Sequence, residues 1–158
     1  MSDSTQTPQM PTPNLMLDEL EKFIGTWELK GAPVGGEGET IKGTAKFEWL
    51  PGKFFLKQTF SLNFMGMQIE SLEIIGYDEE TKGLKSTVFS NLSGQALPYF
   101  WEVKGNVVKI TVNYGILDAT FHGKLSEDGI HYNGGWRPND GADATVNVPY
   151  DLKGVKIS

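Results

Sequence analysis

The sequence predicts an all-β fold: about ten antiparallel strands running up and down and closing into a barrel, with one short N-terminal helix as its lid. Three observations lead there. Runs of alternating apolar and polar residues recur along most of the 158-residue chain, separated by short turns containing Gly, Pro or Asn. Only one stretch, near the N-terminus, carries apolar residues at helical spacing. The registers imposed by four separate turns all send large apolar residues to the same face, and closure is the economical way to bury that face without leaving strand edges.

A chain of this length is one domain with room for a real core. Hydrophobic residues make up 39% of it, including nine Phe, five Tyr and four Trp, which excludes wholesale disorder. A formal charge of −6 offers nothing to phosphate backbones or anionic lipid, so nucleic acid and membrane surfaces are set aside as partners. The absence of cysteine excludes a disulfide framework, a thiolate metal site and a cysteine nucleophile. The N-terminus has no basic region followed by an apolar run, and no segment approaches the length of a transmembrane helix. A soluble, cytoplasmic protein is the expectation.

Taken in order, residues 1–12 are Ser, Thr, Gln and Pro with little to bury and read as a disordered tail, leaving residues 13–158 as the barrel domain. Thr12 and Pro13 look like a helix N-cap and first turn. Leu17, Leu20 and Ile24, with Met16 and Phe23 beside them, form one face of the lid helix, and Glu19, Glu21 and Lys22 the other. The pattern stops at Gly25, which is expected to take the left-handed conformation that ends a helix. Trp27 then points inward from the first strand and plugs that end of the barrel. Strand patterns follow at residues 26–30, 40–50, 53–63, 67–77, 83–90, 95–104, 107–114, 116–125, 130–137 and 144–153.

A two-residue turn at Pro51-Gly52 sets Trp49 opposite Phe54, Phe47 opposite Leu56 and Ile41 opposite Leu62. A four-residue turn at residues 64–67 sets Leu62 opposite Ile69, Leu56 opposite Ile75 and Phe54 opposite Tyr77. Gly105-Asn106 sets Trp101 opposite Ile110 and Tyr99 opposite Val112, with Glu102 and Lys109 paired outside. A turn at residues 126–129 sets Leu125 opposite Ile130 and Ala119 opposite Trp136, leaving Asp118 outside opposite Arg137. These registers place all five tyrosines and all four tryptophans inside.

The order of helix, Phe23-Ile24-Gly25-Thr26-Trp27-Glu28, Phe47-Glu48-Trp49-Leu50-Pro51-Gly52-Lys53-Phe54-Phe55, Met65-Gly66-Met67 and Ile74-Ile75-Gly76-Tyr77-Asp78 with Thr81-Lys82 resembles a bacterial lipocalin-like family catalogued as a domain of unknown function. The resemblance covers about residues 20–113 and fades in the C-terminal third. More distantly the chain is similar to the calycins, including the ten-stranded nitrobindins that hold haem. This implies a small barrel with a central apolar cavity and leaves the chemistry open, since one barrel serves carriers and enzymes alike.

Several polar residues stand where only apolar ones are needed. Gln58 faces Glu73 within a surface made of Phe54, Leu56, Phe60, Leu62, Ile69, Ile75 and Tyr77, with Ser71 beside them and Ser86 and Ser90 on the next strand. A carboxylate so placed is desolvated and its pKa rises, which makes Glu73 a candidate general acid or base, oriented by Gln58 and helped by Tyr77 or Tyr99. The plain alternative is that Glu73 satisfies a buried hydroxyl, or that the strand is slipped by one and Glu73 is a solvent charge. Phe60, Ser71, Tyr99, Trp101, Tyr132 and Trp136 are the candidate ligand-binding walls, with plain core as the competing reading.

His122 and His131 fall on a solvated face with Asp118, Thr120, Lys124, Asn133 and Arg137, so no metal site is expected, and haem is disfavoured because its axial histidine must point inward. Arg137, the only arginine, either stacks on Trp27, as a basic residue does in many calycins, or pairs with Asp118. Residues 33–38 have the glycines of a phosphate loop without its lysine or following helix, and no Gly-x-Ser-x-Gly is present. Two function classes remain: a carrier of a small, mostly apolar molecule, and a cofactor-independent acid/base enzyme (isomerase, cyclase, lyase or hydratase) using Glu73. Phe55, Phe89 and Phe100 on the outer face make a homodimer patch the further possibility.

Overall fold

The computed structural model describes residues 7–158; the predicted tail at residues 1–6 lies outside them, and residues 7–14 carry no helix or strand. A 3₁₀ helix, Leu15–Phe23, comes first. Asn14, extended at φ −65° and ψ 143°, caps it by accepting from the Met16 N–H at 2.9 Å, so the helix begins later than Thr12 and Pro13 suggested. Its buried residues are Leu17, Leu20 and Phe23, three apart, the spacing that a 3₁₀ helix turns to one side. Met16, expected beside that face, is 44% exposed.

Ten strands follow: β1 (Gly25–Pro33), β2 (Ile41–Trp49), β3 (Phe55–Phe64), β4 (Met67–Asp78), β5 (Gly83–Ser90), β6 (Leu97–Lys104), β7 (Val107–Tyr114), β8 (Leu117–Leu125), β9 (His131–Pro138) and β10 (Tyr150–Lys156). Each pairs antiparallel with the next, and β10 returns to β1 from Pro33↔Tyr150 to Trp27↔Lys156, closing the barrel. No helix among the described residues is long and apolar enough to cross a membrane.

Gly25 is the first residue of β1, opposite Phe47, and not a left-handed helix cap. Its φ of +130° is open to glycine, and a Cβ there would lie 2.5 Å from the Ser158 carbonyl oxygen. The helix end is instead closed by the Ile24 N–H donating to Glu21 O.

Two of the four predicted registers are observed and two are displaced. Met65-Gly66 is a two-residue turn, both residues at positive φ, and Leu62 faces Ile69, Gln58 faces Glu73 and Leu56 faces Ile75. At Gly105-Asn106, Trp101 faces Ile110 and Glu102 faces Lys109, while the ladder stops at Phe100↔Thr111 and leaves Tyr99 unpaired with Val112. After β2, Gly52 and Lys53 both take positive φ and the Leu50 N–H bonds to Phe55 O, so the loop takes in Leu50 to Phe54. Trp49 therefore faces Leu56, Phe47 faces Gln58 and Ile41 faces Phe64, and Phe54 lies outside the ladder. After β8, the Ser126 N–H bonds to His131 O and Ile130 joins the loop. Leu125 then faces Tyr132, Phe121 faces Trp136, Ala119 faces Pro138 and Thr120 faces Arg137. Both displacements are by two residues, which leaves the side chains that remain in the ladders on their predicted faces, while Phe54 and Ile130, expected inward, fall in the loops.

The last strand lies further along than predicted. From Asp143 to Asn147 the chain is folded into turns, with the Val146 and Asn147 N–H groups both donating to Asp143 O, and Pro149 has no N–H to give a ladder. Strand pairing resumes at Tyr150. Tyr114, at the end of β7, is 44% exposed, so four tyrosines and not five pack against the core.

Trp27 is fully buried at the helix-capped end, its indole N–H donating to Phe23 O at 2.9 Å. The cation over its ring is Lys156 of β10, at 5.2 Å from the centroid. Arg137 lies on the outer face instead, bonded to Asp151 Oδ1 at 2.7 Å and to Tyr150 O at 3.2 Å. It neither stacks on Trp27 nor pairs with Asp118.

Candidate functional site

The inward side chains leave a cavity of about 290 Å³. Phe23 closes it at the helix end, with its ring 5.7 Å from that of Phe47 and 6.1 Å, edge-on, from that of Trp101. Leu117, Val146, Asn147 and Val148 line another part of it. Asn147 is buried and pins that loop, donating to Ile116 O at 3.0 Å and accepting from the Asp118 N–H at 2.9 Å.

Inward glycines keep part of this space open. A Cβ on Gly134 would lie 2.3 Å from Phe121 Cζ, and one on Gly154 would lie 2.2 Å from Tyr132 Cε1. Both rings occupy the room where a side chain would be, so they sit against the wall and away from the middle. Tyr132 is held there by its edge-on contact with Trp27, at 5.3 Å between centroids.

Glu73 is the one acidic side chain in the lining. Ser86 Oγ donates to its Oε2 at 2.6 Å and Trp101 Nε1 donates to the same oxygen at 3.0 Å. Ser86 and Trp101 are themselves in contact, at 3.2 Å. The three residues come from β4, β5 and β6 and are diagonal neighbours in the ladders, since Ser86 stands directly opposite Ile75 and Tyr99. Burial pushes the Glu73 carboxyl above the usual carboxylate range; the two hydrogen bonds oppose this, and no cation acts on the group. Gln58, its cross-strand neighbour, makes no hydrogen bond to it, so Ser86 and Trp101 orient the carboxyl.

Tyr99, Tyr132 and Tyr150 also line the cavity. Their hydroxyls have no hydrogen-bond partner among the described residues, and no enclosed side-chain nitrogen or oxygen there lacks one, so these hydroxyls open onto the cavity. Burial, with the Glu73 charge adding to it, pushes the Tyr99 phenol up to about 12. Burial raises Tyr132 and Tyr150 as well, and the other two phenols add to the rise at Tyr150.

Of the residues singled out from the sequence, Gln58, Phe60, Ser71, Glu73, Tyr99, Trp101, Tyr132 and Trp136 line the cavity. Tyr77 does not; it packs on the core beside Leu84. His122 and His131 are both exposed on the outer face. Phe55, Phe89 and Phe100 are 48%, 48% and 39% exposed, also on the outer face. Tyr150, expected inward with the other tyrosines, lines the cavity too, together with Phe121 and Asn147, which the sequence reading did not single out because the last strand was placed too early in the chain. The signal available was the run Asn139-Asp140-Gly141 followed by Pro149, which marks a loop and so delays β10.

The crystal structure of Rv2717c from M. tuberculosis is similar in fold, with a TM-score of 0.58 over 92% of this chain and 99% of that one, at 10% sequence identity. At that identity the likeness extends to the fold alone. No curated protein matches the sequence. The model of a family described as a protein of unknown function, DUF1579, matches residues 12–125, more than half of the chain, and this protein belongs to the DUF1579 family.

Proposed function

We propose that this is a lipocalin-like barrel that binds a small, mostly apolar molecule in its interior. The observation that carries the reading is the cavity itself: apolar walls from Phe47, Phe60, Val112, Phe121 and Trp136, with a few convergent polar groups that have no protein partner left to satisfy them. A barrel that served only as a scaffold would gain stability by filling that space. Native mass spectrometry against the denatured sample tests it. A retained small molecule supports the reading, and an empty barrel that also fails to bind any of a library of apolar fragments by calorimetry sinks it.

The second reading is an acid/base enzyme on the same site. It is favoured by Glu73, whose two donors both engage Oε2 and leave Oε1 with the surface open to the cavity. A carboxyl whose pKa is raised by burial keeps its proton to higher pH, which suits a general acid. Under this reading Glu73→Gln abolishes conversion of the bound compound and leaves its affinity nearly intact. Unchanged turnover in that variant removes it.

A further inference from the structure

Resting on the reading of the interior as a binding site, we infer that the cavity takes a neutral molecule presenting a carbonyl oxygen, such as a ketone, ester or quinone, and rejects carboxylates. The polar groups around the cavity set the preference. Ser86 and Trp101 spend their donors on Glu73 Oε2. What remains for a ligand is Glu73 Oε1, the Gln58 amide and the hydroxyls of Ser71, Tyr99, Tyr132 and Tyr150. Phenols at neutral pH are donors first, and an uncharged carboxyl donates through its proton. The lining therefore offers mainly donors to an apolar guest, and the complementary guest carries an acceptor.

Charge decides which acceptor. The other charged residue of the lining, Lys124, stands exposed on the outward side of β8, between Val107 and Asn133. No other cationic side chain belongs to the lining. A carboxylate entering this space would leave water without a counter-ion and approach Glu73. A carbonyl oxygen accepts from Oε1–H or a phenol at no such cost. Of the titratable groups in the lining, Tyr99 is the one that feels the Glu73 charge, while Tyr132 and Tyr150 share the cavity; Gln58, Ser86 and Trp101 are uncharged, and the lid contributes only Phe23.

Isothermal titration of three probes of one shape, naphthyl methyl ketone, naphthoate and naphthylmethylamine, tests the inference. The ketone is expected to bind at least about tenfold more tightly than the carboxylate near neutral pH, the difference that one desolvated charge readily produces. Its affinity falls as pH rises through the titration of Glu73. In Glu73→Gln, whose amide does not titrate, the pH dependence of ketone binding disappears. Carboxylate binding as tight as the ketone overturns the inference, as does tightest binding of the amine, which would need Glu73 ionised; either leaves the interior a binding site. Ketone affinity independent of pH in the wild type overturns the donor role of Glu73. Binding of none of the three takes down the binding-site reading and this inference together.

Discussion

Trp101 Nε1 donates to Glu73 Oε2 at 3.0 Å across an intervening strand, and Ser86 on that strand donates to the same oxygen at 2.6 Å. The two donors hold one carboxyl oxygen against the wall and turn the other toward the cavity. Because burial, with no cation among the causes, outweighs both hydrogen bonds, the carboxyl's pKa is biased upward from the usual carboxylate range.

That bias makes stability depend on pH. The folded pKa of Glu73 lies above the unfolded one, so the folded state holds a proton that the unfolded state releases. Its contribution is fully present below the ordinary carboxylate range and is lost as pH rises through the raised value. Glu73→Gln mimics the neutral acid and does not titrate. The melting temperature of the variant minus that of wild type should therefore grow from acid to neutral pH and then level. A constant or shrinking difference would show that Glu73 is ionised in the fold.

Ser86 is 1% exposed, and its hydroxyl is one of the two groups that lower the Glu73 pKa. Ser86→Ala should cost about 1–2 kcal/mol in urea unfolding, since the acceptor loses a partner in a dry place. It should also move the Glu73 titration to higher pH, read through Trp101 fluorescence. A midpoint that stays or falls would mean that Ser86 does not hold the carboxyl.

Gly154 gives its space to the Tyr132 ring. Gly154→Ala should cost about 1–3 kcal/mol by overpacking and weaken binding of any ligand that touches Tyr132. Gly94 is the control, with nothing within 4 Å of an added Cβ, so Gly94→Ala should stay within about 0.5 kcal/mol of wild type. Equal effects at the two positions in chemical denaturation would argue against ring placement as the cause.

At the plugged end, Trp27→Ala removes a fully buried ring and its bond to Phe23 O and should cost about 3–5 kcal/mol. Lys156→Met keeps the aliphatic stem and loses the cation over the indole, at about 0.5–1 kcal/mol. The ratio of the two in urea unfolding checks whether packing or charge holds the plug.

How much of this was legible in the sequence follows from the turns. Met65-Gly66 and Gly105-Asn106 are tight, and a tight turn leaves one register, so Gln58 and Glu73 came out as neighbours. The loops after Trp49 and Leu125 are longer for reasons spread over several residues. Lys53 sits at φ +58°, a conformation that a lysine does not advertise. Ser126 takes the His131 carbonyl through a loop closed by Asp128. An error of two residues still conserves the face, which is why Trp136 and Tyr132 were assigned inward with the wrong partners. Tyr77 shows the limit of the same logic: alternation assigns a side, not a depth along the barrel.

By itself the sequence determined the alternation, the number of strands, the lid and the inward side of Glu73, because each of these depends on residues close together in the chain. Only the tertiary structure decided that Ser86 and Trp101 meet one oxygen of Glu73, that Lys156 and not Arg137 covers Trp27, and that Asn147 joins the cavity. Those contacts depend on how neighbouring strands are offset and on where β10 begins. A cavity is the space left over when the side chains of ten closing strands and the lid have all taken their places, so no local stretch of sequence contains it.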